Sequence, residues 1–331
     1  MADVDVVVPC YNYDQFLTDS VSSVLDQKGV DLRVLIIDNA SEDQSLAVAR
    51  RLAASDPRVE IIAHAENRGA TFSYNEGIDW AQSRYFLILD ADDMLAPGAL
   101  ARAVALMDAE PGVSFTRGGE ARLENGQIAI HDFTYEETGW QVIEGRELIA
   151  QICRTPVNIV GANTVIRRTA AQKQVGHYRA TLRYTDDLEM WLRLATVGKV
   201  AGTRTVQAIR RYHDQRGSVF YQSFQVRDFI ERERAFASFF AHEGSALPNA
   251  ASLMAMARRG LGEHAYWSGV AHLARGQLNT GRELFAMSHE RRRLAMHLPP
   301  IGWLTRMDHP FGRAGKILND AMSVCIAAFM R

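Results

Sequence analysis

Apolar and polar positions alternate in two distinct ways along the first third of the chain. Val4–Pro9 is a β-branched run that reads as a strand, and 14–27 carries Phe16, Leu17, Val21, Val24 and Leu25 at helical spacing. Leu32–Asp38 is again strand-like. Ser41, with Gln44 three residues on, forms a capping-box pattern for a helix reaching about Ala54. Asp56-Pro57 breaks the chain before a strand over 59–63, a helix follows over about 70–82, and the apolar strand Tyr85–Leu89 ends in acidic residues. Strand–helix alternation of this kind predicts a parallel sheet with helices on both faces.

The middle third is mixed. Strands are expected at 115–123 and 127–133 around the turn Asn125-Gly126, a helix at 144–154 and a strand at 163–167. Residues 185–197 place Leu188, Trp191, Leu192 and Leu194 at helical spacing and stop at Gly198, which reads as a C-cap. From about Ser223 the strand signals cease. Three helices are expected over 224–241, 251–268 and 270–288, separated by Leu247-Pro248-Asn249 and by the glycines at 269, 276 and 281. One or two helical hairpins are too few for a solenoid, so this part reads as a helical appendage. The fold class is thus α/β, a mixed sheet flanked by helices, with 1–222 as the main domain and 223–331 as a helical C-terminal region.

Composition adds exclusions. Of 331 residues, 47% are hydrophobic and 23% charged, ordinary for a packed protein. A net charge of −2 gives no basic face for nucleic acid. Residues 291–331 nevertheless hold seven Lys or Arg against two Asp, a local +5 that leaves −7 elsewhere. The three cysteines lack CxxC spacing and suit a reducing compartment. No apolar run approaches the roughly 20 residues of a membrane span, so a cytoplasmic location is expected.

Ligands of parallel α/β sheets bind at the carboxyl ends of strands. Four polar groups fall there: Cys10-Tyr11-Asn12, Asp38-Asn39, Glu66-Asn67-Arg68-Gly69 and Asp90-Ala91-Asp92-Asp93. Three carboxylates within four residues repel one another unless a cation sits among them, and a hard ion such as Mn²⁺ or Mg²⁺ prefers such oxygens. An exposed acidic loop ahead of the next helix is the other reading. Asp38 can accept hydrogen bonds from a base or ribose, or serve as a turn residue. Arg68 can contact a diphosphate, or be a solvated loop arginine. The first loop has no glycine, which disfavours a nucleotidyltransferase and, lacking GxGxxG, a dinucleotide-dependent oxidoreductase.

Together these groups resemble glycosyltransferase family 2, an inverting family with the GT-A fold. The matching residues are Val6–Asn12, Ile36–Asp43, Asn67-Arg68-Gly69 and Leu89–Asp93. Further along, 185–194 is similar to the family's acidic pair followed by Trp-Leu-Arg-Leu, and 211–218 to its Tyr-Arg-x-His segment. The resemblance covers about residues 3–220.

It implies that Pro9, Tyr11 and Asp38 hold the nucleoside with Arg68 nearby. Asp90 approaches the ribose or metal, and Asp92 is the main ligand of Mn²⁺ or Mg²⁺. His213 reaches the metal or diphosphate. Asp187 is the general base; its neighbour Asp186 stands where the family usually has Glu, and shares the catalytic assignment. The implied reaction moves one sugar from a nucleotide-diphosphate sugar, a UDP-sugar by preference, to a hydroxyl of a glycan or lipid-linked acceptor. Processive members carry Gln-x-x-Arg-Trp and membrane helices, and neither occurs here. Surface-polysaccharide synthesis is the implied setting, with acceptor contacts expected within 133–162. The alternative is a non-catalytic nucleotide-sugar-binding or assembly subunit, which would be expected to lose Asp92 or Asp187. A helix over 312–330, after Pro299-Pro300, reads as packed on the core or as an interfacial contact with the inner membrane surface.

Overall fold

The computed structural model describes residues 3–130, 132–182, 184–213, 225–292 and 298–306. These fall into two compact units, Met1–Ile149 with Asn158–Arg216, and Ala150–Val157 with Gly217–Arg331.

The first unit is built on one sheet. Its elements are β1 (Val4–Cys10), α1 (Asp14–Leu25), β2 (Leu32–Asp38), α2 (Ser45–Ser55), β3 (Val59–Ala63), α3 (Ala70–Trp80), β4 (Tyr85–Ile88), β5 (Met94–Leu95), α4 (Ala99–Ala109), β6 (Val113–Glu124), β7 (Gln127–Ala129) and β8 (Gln141–Ile143). Then come α5 (Gly145–Arg154), which straddles the two units, β9 (Arg167–Arg168), α6 (Thr169–Val175), α7 (Asp186–Leu194) and β10 (Lys199–Tyr212). The strand order is β3-β2-β1-β4-β9-β6-β10-β5, with β7 on β6 and β8 on β10. Strands β1 to β4 pair in parallel, as their alternation with helices predicts. The two-residue β9 runs antiparallel between β4 and β6 and makes the sheet mixed. Val4, Val6 and Val8 of β1 and Val34 and Ile36 of β2 are wholly buried in the core shared with Leu17, Val21 and Val24 of α1. Burial on both faces explains why these strands read as near-continuous β-branched runs.

Several expectations change. Helix α2 starts at Ser45, not Ser41, because Ser41 Oγ accepts the Asn12 N–H at 3.0 Å instead of capping a helix. The strand expected at 163–167 is a 3₁₀ turn, Ala162–Thr164, ahead of β9. Helix α7 ends at Leu194 with Ala195 as C-cap. Gly198 serves packing: a Cβ there would lie 2.8 Å from Gly112 O and from Ser114 Cβ. The long strand β10 was not expected, because Thr203, Arg204 and Thr205 interrupt its apolar positions.

The second unit is helical: α8 (Gln225–Ala241), α9 (Ala250–Ala274), α10 (Leu278–Arg292) and α11 (Ile301–Leu304). Gly269 does not break α9. It lies where α10 crosses closely, with its Cβ direction 3.2 Å from the Phe285 ring and 3.3 Å from Gly281 O. Of the three glycines expected to separate the helices, Gly276 makes the turn, with a φ of +76° readily available only to glycine. Arg258 and Arg291 both pair with Glu233, and His264 stacks on the buried Trp303 with 5.0 Å between centroids. The helix expected over 312–330 lies outside the described residues.

Candidate active site

The loops after β1 and β2 are locked to each other. Besides the Asn12–Ser41 bond, Asn12 Oδ1 accepts Glu42 N–H at 2.8 Å, and Ser45 Oγ accepts Tyr13 N–H at 2.9 Å. Asp43 accepts Asp14 N–H at 3.1 Å. The polar run 39–45 is therefore largely a clasp between strand ends. Asn12 and Ala40 adopt positive φ, 58° and 60°, a region that strains alanine.

Within this clasp Pro9 is half-buried near the end of β1, and Tyr11 stands out at 40% exposure. Asp38, the last residue of β2, is 1% exposed. Its Oδ2 accepts Ser41 N–H at 3.2 Å, but its Oδ1 is buried without a partner. A buried carboxylate oxygen left so is a costly acceptor awaiting a donor. Next to it, Asn39 Oδ1 accepts Arg68 N–H at 3.0 Å and contacts His64 Nδ1 at 2.9 Å. The other ring nitrogen of His64 contacts Glu76 at 2.7 Å. Exposed Arg68 lays its guanidinium over Phe72 at 3.4 Å, at the rim beside Asp38 and Asn39.

The acidic triplet follows β4. Ligand oxygens of Asp90, Asp92 and Asp93 lie within 4.8 Å of one another. The three residues are not equivalent. Asp93 is engaged by the Asn163 side-chain amide and by Arg211 N–H at 2.7 Å, which makes it a structural anchor. Asp92 Oδ2 lies 3.0 Å from His213 Nε2. The His213 ring packs on Phe16 at 4.6 Å and edge-on to Tyr13 at 5.8 Å, and its Nδ1 is buried without a partner. Burial, then repulsion from Asp92, pushes the Asp90 carboxyl up to about 7. Carboxylate oxygens with one imidazole, crowded enough to raise a pKa, fit a hard divalent cation that would relieve the repulsion. Asp90, Asp92 and His213 are the residues that would hold it.

The acidic pair opens α7, where the free N–H groups of a helix start face carboxylates. Asp186 is buried and accepts Thr71 Oγ1–H at 3.2 Å and Asp187 N–H at 3.0 Å. Asp187 is half-buried, with Oδ2 accepting Asn158 Nδ2–H at 2.6 Å and Oδ1 accepting Leu188 N–H at 2.6 Å. Burial raises Asp186, with help from Asp187, to about 7. It raises Asp187 to about 6, tempered by the Leu188 N–H and by Arg210. Asp187 also acts electrostatically on Asp90, so the acidic pair and the acidic cluster lie within one another's field. Arg210, on β10, lies in the field of Glu120, Asp93 and Asp90.

Sequence reasoning missed Asn158, Asn163, Thr71 and Arg210. Asn163 carried a faint signal, a polar residue just ahead of the apolar Val165-Ile166. Asn158 and Thr71 carried none, because they reach the site only through the tertiary fold. Cys10 is buried, with a thiol pushed up to about 12, and is no nucleophile.

The sequence profile of Glycosyl transferase family 2 matches residues 5–174. An uncharacterized glycosyltransferase of Haemophilus influenzae is 24% identical over 67% of this chain and 69% of its own. The putative teichuronic acid biosynthesis glycosyltransferase TuaG of Bacillus subtilis is 27% identical over 60% of this chain and 74% of its own. Among solved structures, S. aureus TarS 1–349 in complex with UDP aligns with a TM-score of 0.60 at 16% identity, covering 99% of this chain and 92% of TarS 1–349. Mannosyltransferase PcManGT from Pyrobaculum calidifontis, in complex with GDP-Man and Mn²⁺, aligns with a TM-score of 0.58 at 18% identity, covering 98% and 86%. The fold is that of the GT-A glycosyltransferases. The chain belongs to glycosyltransferase family 2 and is a glycosyltransferase.

Proposed function

We propose that this enzyme transfers a single sugar, with inversion, from a nucleoside-diphosphate sugar to a hydroxyl of a glycan or lipid-linked acceptor in surface-polysaccharide synthesis. The observation that carries the reading is Asp187: a half-buried carboxylate raised to about 6 and within the electrostatic field of Asp90 of the acidic cluster. A base poised just below neutral pH is mostly ionised, yet able to take a proton.

In this reading Asp38 Oδ1 receives a donor N–H or O–H of the nucleoside, and Pro9 and Tyr11 flank it. Arg68 closes the diphosphate side. Asp92, Asp90 and His213 hold Mn²⁺ or Mg²⁺, which when bound compensates charge on the departing diphosphate. The acceptor oxygen attacks the anomeric carbon opposite the nucleoside diphosphate, the new C–O bond forms as the bond to phosphate breaks, and the proton passes to Asp187. Asn158 and Leu188 N–H fix the orientation of that carboxylate, and Asp186 shapes the start of its helix. The UDP-bound TarS fold and the Mn²⁺-bound PcManGT support a UDP-sugar donor and Mn²⁺ as first candidates. TuaG supports the polysaccharide setting.

The proposal assigns catalysis to 1–222 and a partner- or membrane-contacting role to 223–331, with residues 299–331 resting on the inner membrane surface. Among the described residues no helix is long and apolar enough to cross a membrane, while Leu298 and Ile301 are 70% and 68% exposed. Co-sedimentation of the full chain with anionic liposomes, lost in Leu298→Glu/Ile301→Glu, supports the contact; equal recovery refutes it.

Nucleotide release from UDP-, GDP-, dTDP- and CMP-sugars, with Mn²⁺, with Mg²⁺ and with chelator, tests the catalytic reading. Metal-dependent turnover of one donor, abolished by Asp92→Asn, is expected. Metal-dependent binding with no turnover even in the presence of acceptor glycans would point instead to a nucleotide-sugar-binding subunit.

A further inference from the structure

A second concavity lies on the first unit, away from the acidic cluster. It holds about 360 Å³ and is lined by Arg102, Ala105 and Leu106 of α4, Glu137 and Trp140 of the loop before β8, and Thr203 and Thr205 of β10. That volume is within the range of small-molecule sites, about 300–1,000 Å³. Along β10, at roughly 3.3 Å per residue, Thr205 lies eight residues before His213, a separation of at most about 26 Å.

The wall is preformed. Thr134 and β10 exchange backbone hydrogen bonds, with Thr134 N–H donating to Arg204 O at 3.0 Å and Val206 N–H to Thr134 O at 2.8 Å. Thr205 Oγ1 accepts Thr138 N–H at 3.0 Å and donates to Glu136 O at 3.1 Å. Trp140 and Leu106 pack against the sheet's hydrophobic core while also lining the cavity, which gives it a firm apolar floor. A wall ordered before binding spares the ligand the cost of ordering it.

The polar groups narrow the ligand class. Arg102 donates through Nη1 to Pro97 O at 2.9 Å and through Nη2 to Gln207 Oε1 at 3.0 Å. Its Nε is buried without a partner. Glu137 Oε1 sits 3.8 Å from Arg102 Nη1 and offsets its charge, which disfavours phosphate or another strong anion. What remains is an indole beside a guanidinium and an exposed carboxylate. That set suits a ring with apolar C–H faces and hydroxyl edges.

We propose that this cavity is a non-catalytic carbohydrate subsite that holds a pyranose of the acceptor glycan at a distance from the reacting hydroxyl. The proposal rests on the glycan-acceptor reading above. Binding at such a subsite lets remote parts of a long acceptor raise affinity without taking part in the chemistry.

Saturation-transfer NMR with the full chain and four tetrasaccharides, built from glucose, galactose, mannose or N-acetylglucosamine, tests it. Two variants accompany the wild type. Ala105→Trp fills the cavity from an exposed position on α4, and Trp140→Ala removes the indole. Transfer to at least one tetrasaccharide is expected, weakened at least about tenfold in both variants, with acceptor-free donor turnover unchanged. No transfer in the wild type overturns the subsite, as does undiminished transfer in a folded Ala105→Trp chain. Lost donor turnover with cavity-dependent transfer intact would count against the catalytic reading and for the subsite.

Discussion

Arg193 Nε donates to Glu189 Oε2 at 2.8 Å across one turn of α7, and both side chains are buried. The same guanidinium donates to Val175 O at 2.6 Å and His177 O at 2.8 Å, and Arg179 adds a second cation to Glu189. This pair thereby fixes the helix whose first residues are Asp186 and Asp187 to the segment ahead of it. The Trp-Leu-Arg-Leu stretch following the acidic pair is scaffold for the carboxylate proposed as the base.

Removing Arg193 leaves the buried Glu189 with Arg179 alone and takes the donors from the Val175 and His177 carbonyls. Arg193→Leu is expected to lower stability by about 3–5 kcal/mol, measured by urea unfolding at pH 7.5. A loss under 1 kcal/mol would show that Arg179 alone satisfies Glu189.

The pH dependence of turnover follows from Asp187. Its base form grows as pH rises through about 6, so kcat should climb on the acid side and level off above about pH 7. Asn158→Leu removes a hydrogen bond that favours the ionised carboxylate, and should move that limb to higher pH. Asp187→Asn should lower kcat by about 10²–10⁴-fold with donor affinity retained. An acid limb unmoved by Asn158→Leu would detach Asp187 from the proton transfer.

Asp186 makes a stability prediction with a definite sign. Its folded pKa, about 7, lies above the ordinary 3.8, so the folded state binds the extra proton between roughly pH 4 and 7. Its contribution to stability is full at the acid end of that window and is lost as pH rises through it. Asp186→Asn removes the charge. In chelator, the variant should gain in Tm relative to wild type between pH 4.5 and pH 8. A difference independent of pH would contradict the raised pKa.

Ala40 holds φ at 60° inside the clasp between the first two strand ends. A left-handed alanine costs roughly 1–2 kcal/mol, partly offset by the greater unfolded freedom of glycine. Ala40→Gly should therefore stabilise the chain by up to about 1 kcal/mol in chemical denaturation. Destabilisation would mean that the alanine methyl packs favourably enough to outweigh its backbone.

The legible part of this protein is the part whose periodicity has one cause. Strands β1, β2 and β4 are buried on both faces and show it, and the acidic residues after β4 gain meaning from that position. Polar residues with several possible uses were harder. Ser41 looked like a helix cap but answers Asn12, 29 positions earlier in sequence and adjacent in space. Gly198 and Gly269 looked like stops, yet each makes room for a neighbour, Gly112 and Ser114 in one case and α10 in the other. Asn158 beside Asp187 comes from a stretch with no regular pattern, and Asn163 beside Asp93 from one that reads as a strand but folds as a 3₁₀ turn, so only the tertiary fold brings them to the carboxylates they hold.

The helical unit takes part of its substance from the middle of the chain. Pro156 O accepts Arg232 Nη1–H at 3.1 Å, Arg154 O accepts Arg306 Nη1–H at 3.3 Å, and the Cβ direction of Gly260 lies 2.7 Å from the Pro156 ring. A stop codon after residue 222 would strand this strip beside nothing. Chimeras that exchange helical tails between relatives must therefore carry two pieces of sequence, the tail and residues 150–157. Gene fusions that respect only the C-terminal boundary would join a tail to a strip it never evolved to meet.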